Sequence, residues 1–148
     1  MVLKGWFINN MNKDIKLFNF NNTYLNLPNI FYKIQNPVFV DQPQIIYFND
    51  NLAKELRIEI ESLDKNILAN IFSGNIHLKG AKSISQAYAG HQFGNFTILG
   101  DGRAVLLGEH IINDNRYDIQ LKGSGKTAYS RNGDGKATLS SMLREYIF

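Results

Sequence analysis

The stretch "DIQLKGSGKTAYSRNGDGKATLSSMLRE", residues 118–145, decides how the rest of the chain is read. It opens on a strand-like run, closes on a helix-like one, and sets Gly123, Gly125, Gly133 and Gly135 between them with Lys122, Lys126, Arg131 and Lys136. Only Asp134 opposes those cations within the loop, so the positive excess is local. A long glycine-rich, cationic loop between regular elements points to an anionic ligand.

The tempting P-loop reading of "GSGKT" at 123–127 fails on spacing. That motif needs a glycine five residues before the Gly-Lys pair, and position 120 is Gln. A P-loop lysine also opens a helix, whereas Lys126 is followed by further glycines and no helical stripe.

Another arrangement fits. Gly100 and Gly102 flank Asp101 in a hairpin-like "GDG", Arg103 follows, Lys122 ends a later strand, and Glu145 lies on the next helix. In kinase-like folds such parts cover a nucleotide, grip its phosphates and hold the lysine through an ion pair. Glycine at 100 and 102 would let the backbone approach phosphate at positive φ, and Arg103 could fork onto a phosphate oxygen. On the helix, Ala137, Ser141 and Glu145 form one row, in which small residues let a strand approach the carboxylate.

Upstream, "ISQAYAGHQFGNFTILGDGRAVLLGEHIINDNRYDIQLKG" predicts two or three antiparallel strands, near 94–99, 103–112 and 116–122. Tyr88, Phe93 and Phe96 read as core or pocket lining, and His91 as a structural hydrogen-bonding residue, with His77 and His110 weaker functional candidates still. Leu52, Leu56 and Ile60 predict a helix over 50–61 capped at Asp50, and a second starts near Asp64 and stops by Gly74. Pro28, Pro37 and Pro43 punctuate extended chain that wraps a core more than it forms a sheet. Residues 1–17 read as a loosely ordered lead-in. The helix from Ala137 puts Leu143, Tyr146, Ile147 and Phe148 on a side expected to stay exposed.

The whole chain of 148 residues, 44% apolar, can fill one core. A net charge of +3 with 13 acidic residues argues against nucleic acid as the partner. With no cysteine, disulfides and thiolate metal sites are excluded. No apolar run reaches the roughly 20 residues of a membrane span, and no signal-peptide core opens the chain, so no membrane partner and a cytoplasmic location are expected.

Taken in order, "FNNTYLNLP" (20–28), "IFSGN" (71–75), "YAGHQFGNF" (88–96), "LGDGRA" (99–104), "LGE" (107–109), "LKGSGKTAYSR" (121–131), "GDGKA" (133–137) and "REY" (144–146) resemble the N-terminal part of the selenoprotein O family (SelO, also called YdiU). These are protein adenylyltransferases with a pseudokinase fold. The resemblance implies an α+β chain: the N-terminal portion of a protein-kinase-like fold, antiparallel strands with packing helices, cut within the helix carrying Glu145. Residues 18–148 would then be an incomplete N-lobe with a family-specific N-terminal extension. It further implies AMP transfer from ATP to Ser, Thr or Tyr hydroxyls of proteins, with a flipped nucleotide exposing the α-phosphate.

By motif, Gly100, Gly102, Arg103, Lys122, Asp134 and Gly135 would bind ATP, and Glu145 would orient Lys122. The family's general base, Mg²⁺ ligands and two further phosphate-binding arginines would lie beyond residue 148. No metal ligand is therefore expected in this chain, which alone should be inactive. A separately encoded C-terminal half would be its partner, or else it is a non-catalytic remnant or nucleotide-binding module. Ala128, Lys136 and Ser140 stand where the family usually has Pro, Arg and Arg, which implies a looser loop and a weaker phosphate grip.

Overall fold

The computed structural model describes residues 15–147. Residues 1–14 of the expected lead-in, and Phe148, lie outside the described residues. Five strands form the centre: β1 (Tyr32–Ile34), β2 (Ile84–Gln92), β3 (Asn95–Gly100), β4 (Ala104–Ile112) and β5 (Asn115–Lys122). Among the described residues three α-helices accompany them, α1 (Asp50–Glu55), α2 (Lys65–Phe72) and α3 (Leu139–Ile147). The architecture is α+β on an antiparallel sheet of order β1-β2-β4-β5, with β3 paired to β2.

β4 is the buried strand. Ala104 to His110 are all below the surface, so the run "AVLLGEH" carries no exposed face and is flanked on both edges. β5 pairs along its length, from Ala104 opposite Lys122 to Ile112 opposite Asn115, with a register shift between Leu106 and Gly108. On the other edge β2 meets β4 at Ile84 opposite Leu106 and then diverges. The edge it leaves is taken by the N-terminal strap: the Asn21 N–H donates to the Glu109 carbonyl at 2.9 Å and the Ile111 N–H to the Asn19 carbonyl at 3.0 Å. Covering an abandoned edge this way satisfies groups that would otherwise be buried unpaired.

Beyond Gln86, β2 pairs only with β3, from Ala87 opposite Gly100 to Gln92 opposite Asn95. This two-stranded ribbon leaves the core. Tyr88, Phe93 and Phe96 are therefore exposed rather than core or pocket lining. His91 stands exposed with its ring edge against Phe96, while His110 is the buried hydrogen-bonding histidine. The Asn19 N–H donates to His110 Nδ1 at 2.9 Å, and Nε2 faces the Leu56 carbonyl at 3.0 Å, which specifies the neutral ring with its proton on Nε2.

The hydrophobic cluster gathers Leu17 and Phe18 of the strap, Ile71 of α2, and Leu78 and Ala81 of the next loop, with Ile15 and Ile119 against them. Ile15 and Leu17, assigned to the lead-in by sequence, thus pack on the core. Helix α2 keeps its expected bounds because Asp64 caps it, Oδ1 accepting from the Ile67 N–H at 2.8 Å. Helix α1 is shorter than the predicted 50–61: Asn49, not Asp50, is the cap, and Arg57 turns left-handed at φ 49°. Of the proline-punctuated chain, Tyr32–Ile34 joins the sheet as an edge strand opposite Ile84–Gln86. Thr23–Asn26 and Asn29–Phe31 are short 3-10 turns rather than the extended chain expected, and the stretch after β1 is pinned by the Val38 N–H to the Ser124 carbonyl at 2.9 Å.

Candidate functional site

The end of β5, the start of β4 and the last turn of α3 converge on one acidic side chain. Lys122 is the last residue of β5, registered opposite Ala104, so it emerges beside Arg103. Glu145 reaches it from the last turn of α3, whose start is set by Thr138: the Ser141 N–H donates to Thr138 Oγ1 at 3.3 Å. Lys122 Nζ donates to Glu145 Oε2 at 2.6 Å, and an Arg103 guanidinium nitrogen lies 3.6 Å from Glu145 Oε1. The Lys122 hydrogen bond and the two positive charges hold the Glu145 carboxyl below the usual range. With side chains 39% (Lys122), 45% (Arg103) and 44% (Glu145) exposed, both cations can be reached from solvent.

The hairpin-like turn at 100–102 is built differently from the sequence expectation. Neither Gly100 nor Gly102 is among the residues of positive φ. Gly100 is needed because the Tyr129 ring packs against it so closely that any Cβ would collide, and Gly102 lies under the Tyr129 carbonyl. Asp101 is buried, its Oδ2 accepting from the Gln86 N–H at 2.9 Å. Burial pushes its carboxyl up, against the hydrogen bond from Gln86 and the Lys122 charge, which pull it down.

The glycine-rich segment closes on itself. The Gly125 N–H donates to the Gly135 carbonyl at 3.2 Å, and Ser124 bridges Lys136. Gly135 does sit in the left-handed region, at φ 69°, with the Gly125 carbonyl where a Cβ would be. Asp134 Oδ1 accepts from the Lys136 N–H at 2.9 Å, a local turn, and makes no ion pair with Lys122 or Arg103 among the described residues. No helix begins until Leu139, so this is not a strand–loop–helix phosphate cradle.

Of the expected residues, Gly100, Gly102, Arg103, Lys122 and Glu145 come together. Asp134 and Gly135 share the same loop assembly without touching the cation pair. The arrangement offers an ammonium and a guanidinium that solvent reaches, a donor set suited to phosphate oxygens. Among the described residues no group of three or more His, Cys, Asp or Glu side chains could hold a metal ion.

Two features escaped the sequence. Glu109 is buried and takes the Thr23 hydroxyl (2.8 Å), the Tyr24 N–H (2.9 Å) and Arg116 (3.1 Å), clamping the strap to β4. A groove of about 770 Å³ runs under α3, lined by Tyr47, Leu52, Phe72, Ile119, Met142 and Leu143 among others. None of the cationic site residues lines it, so the groove and the ion-pair site are separate features. Leu143, Tyr146 and Ile147 are exposed, as expected.

A family model described as Protein adenylyltransferase SelO matches residues 14–148. A protein nucleotidyltransferase YdiU of Clostridium perfringens is 61% identical over 131 residues, covering 88% of this chain and 27% of that protein. The protein of that name in Pelagibacter ubique is 53% identical over the same proportions. That of Clostridium botulinum is 52% identical over 140 residues, 92% of this chain and 28% of that protein. The chain spans about a quarter of the length of these curated relatives.

Proposed function

The chain belongs to the protein adenylyltransferase SelO family, and from that premise we propose that it is the ATP-binding part of a protein adenylyltransferase, an N-lobe of kinase-like design. The carrying observation is the bridge of Glu145 to both Lys122 and Arg103 beside the Gly100–Gly102 turn. In this reading ATP supplies the AMP group, Lys122 and Arg103 hold its phosphates, and Glu145 keeps Lys122 aimed. Gly100 and Gly102, packed under Tyr129, form the turn that delivers Arg103 to the nucleotide, and Asp134 and Gly135 belong to the neighbouring loop of the same site. The fit rests on the donor set: two accessible cations, one of them a fork, with a carboxylate to orient them.

Mg²⁺ would be held by groups other than the described residues, as would the proton acceptor for a Ser, Thr or Tyr hydroxyl of the protein substrate. The chain by itself therefore binds nucleotide without turnover. It would act in the cytoplasm together with the remainder of an enzyme of its relatives' length.

Two measurements test this. ATP titrated into the chain should bind, and Lys122→Ala should weaken binding by about tenfold or more, as for loss of a hydrogen bond to a charged group. Joined to the remaining part of the Clostridium perfringens relative, the chain should transfer labelled AMP to protein. Label incorporation surviving Lys122→Ala would remove that residue from the site. An ATP-binding chain whose fusion transfers nothing would instead mark a non-catalytic nucleotide module.

A further inference from the structure

Thr127, Ala128, Tyr129 and Ser130 form a turn that grips the Gly100–Arg103 segment from above. Thr127 Oγ1 donates to the Asp101 carbonyl and Ser130 Oγ to the Gly102 carbonyl, while the Tyr129 ring occupies the space a side chain at 100 would need. Each hydroxyl spends its single proton on that segment and uses its oxygen to hold its own turn. The Thr127 N–H donates to Ser130 Oγ at 2.7 Å, and the Tyr129 N–H donates to Thr127 Oγ1 at 3.1 Å. The Ala128 N–H donates to Gln35 Oε1 at 3.1 Å, tying the turn to the end of β1. From the opposite side, Gln86 of β2 exchanges hydrogen bonds with Asp101: the Asp101 N–H donates to the Gln86 carbonyl at 2.9 Å, and the Gln86 N–H donates to Asp101 Oδ2.

We propose that Thr127, Tyr129 and Ser130 are positioning residues that hold the Gly100–Arg103 turn in place, and through it the Arg103 guanidinium beside Lys122 and Glu145. The proposal rests on the ATP reading for its purpose, while its geometry is independent of it. The physical reason is leverage. Arg103 follows the clamped turn directly, and a bidentate contact tolerates little displacement of its fork. None of the three residues belongs to the hydrophobic cluster around Ile71 and Leu78, so their loss should disturb the site before it disturbs the core. The hydroxyl logic also explains Thr and Ser at 127 and 130: an oxygen that both donates and accepts has no apolar substitute.

The test uses the chain as it stands, with Thr127→Val, Thr127→Ser, Tyr129→Ala and Tyr129→Phe. Three readouts are followed: the Arg103 side-chain N–H signal in ¹⁵N NMR, identified with Arg103→Lys, the dissociation constant for ATP, and the melting curve. Thr127→Val and Tyr129→Ala are expected to shift or broaden the Arg103 signal and weaken ATP binding by about tenfold. Thr127→Ser and Tyr129→Phe keep the hydroxyl and the ring, and should restore both readouts. If Tyr129→Ala fails to fold, Thr127→Val carries the test, since it removes both hydrogen bonds of the Thr127 hydroxyl at nearly constant volume. The proposal is overturned if Thr127→Val melts as the parent does with an unmoved Arg103 signal, or if the conservative variants lose as much as the disruptive ones. Should the parent chain bind no ATP, the functional reading fails, and the Arg103 signal still decides the positioning claim.

Discussion

Glu109 and Asp101 are both buried carboxylates, and their surroundings push them in opposite directions. Burial raises Glu109, but donation from Tyr24 and Thr23 and the Arg116 charge outweigh it, leaving the carboxyl below its ordinary range. Asp101 has one backbone donor and a more distant ammonium, so burial wins and its carboxyl is raised. The linkage follows from the signs. Glu109 contributes stability that is present above its unfolded pKa, about 4.3, and is lost as pH falls through its lower folded value. Asp101 contributes stability below its unfolded pKa, about 3.9, and loses it as pH rises through its higher folded value. Melting curves across about pH 3.5 to 7 should separate them. Glu109→Gln is expected to flatten the acid limb and cost on the order of 1–3 kcal/mol at neutral pH. Asp101→Asn, able to keep the bond from Gln86, should leave neutral stability unchanged or higher and remove the decline above its ordinary range. Neither residue's importance was legible in the sequence, because each depends on donors from distant chain.

At the level of elements, boundaries followed local chemistry where a cap stood in the right place. Asp64 and Gly74 bracket α2 as read, and Gly74 is left-handed at φ 86°. Asp64→Ala is expected to destabilise the chain by about 1 kcal/mol, with Asp64→Ser recovering most of it, measured by urea unfolding. Helix α1 stops short of its apolar repeat at a left-handed Arg57, where the Ile58 N–H donates back to the Ala53 carbonyl at 2.9 Å and His110 Nε2 meets the Leu56 carbonyl. Strand β2 was missed because small and polar residues with Gly90 break the alternation that marks a strand, and its outer half exists only by pairing with β3. That same pairing moved Tyr88, Phe93 and Phe96 from the expected interior to the surface.

Across the whole molecule, stability is uneven. Ile71, Leu78, Ile84 and Val105 are almost wholly buried, whereas α3 has no buried residue. What fastens α3 near its end is the Lys122–Glu145 ion pair and the Tyr146 hydroxyl bond to Tyr47 at 2.9 Å, with their rings 4.9 Å apart. An exposed ion pair is screened by salt. Amide exchange should therefore be faster in α3 than in α2 and should quicken further between low and high ionic strength, with α2 unaffected. Equal protection of the two helices, or a salt-independent α3, would contradict this picture.

The three late strands and the α2 bounds were written in local patterns of apolar spacing, turn residues and caps. So was the choice of Lys122, Arg103 and Glu145 as the charged groups to watch, since a glycine turn followed by an arginine, a strand-ending lysine and a glutamate on the next helix form a recognisable pattern. Only the tertiary structure decided why Gly100 must be glycine, where β2 changes partners, and that Glu109 clamps the strap. Each of those depends on groups far apart in the chain meeting in space, through sterics and buried hydrogen bonds that no single segment encodes.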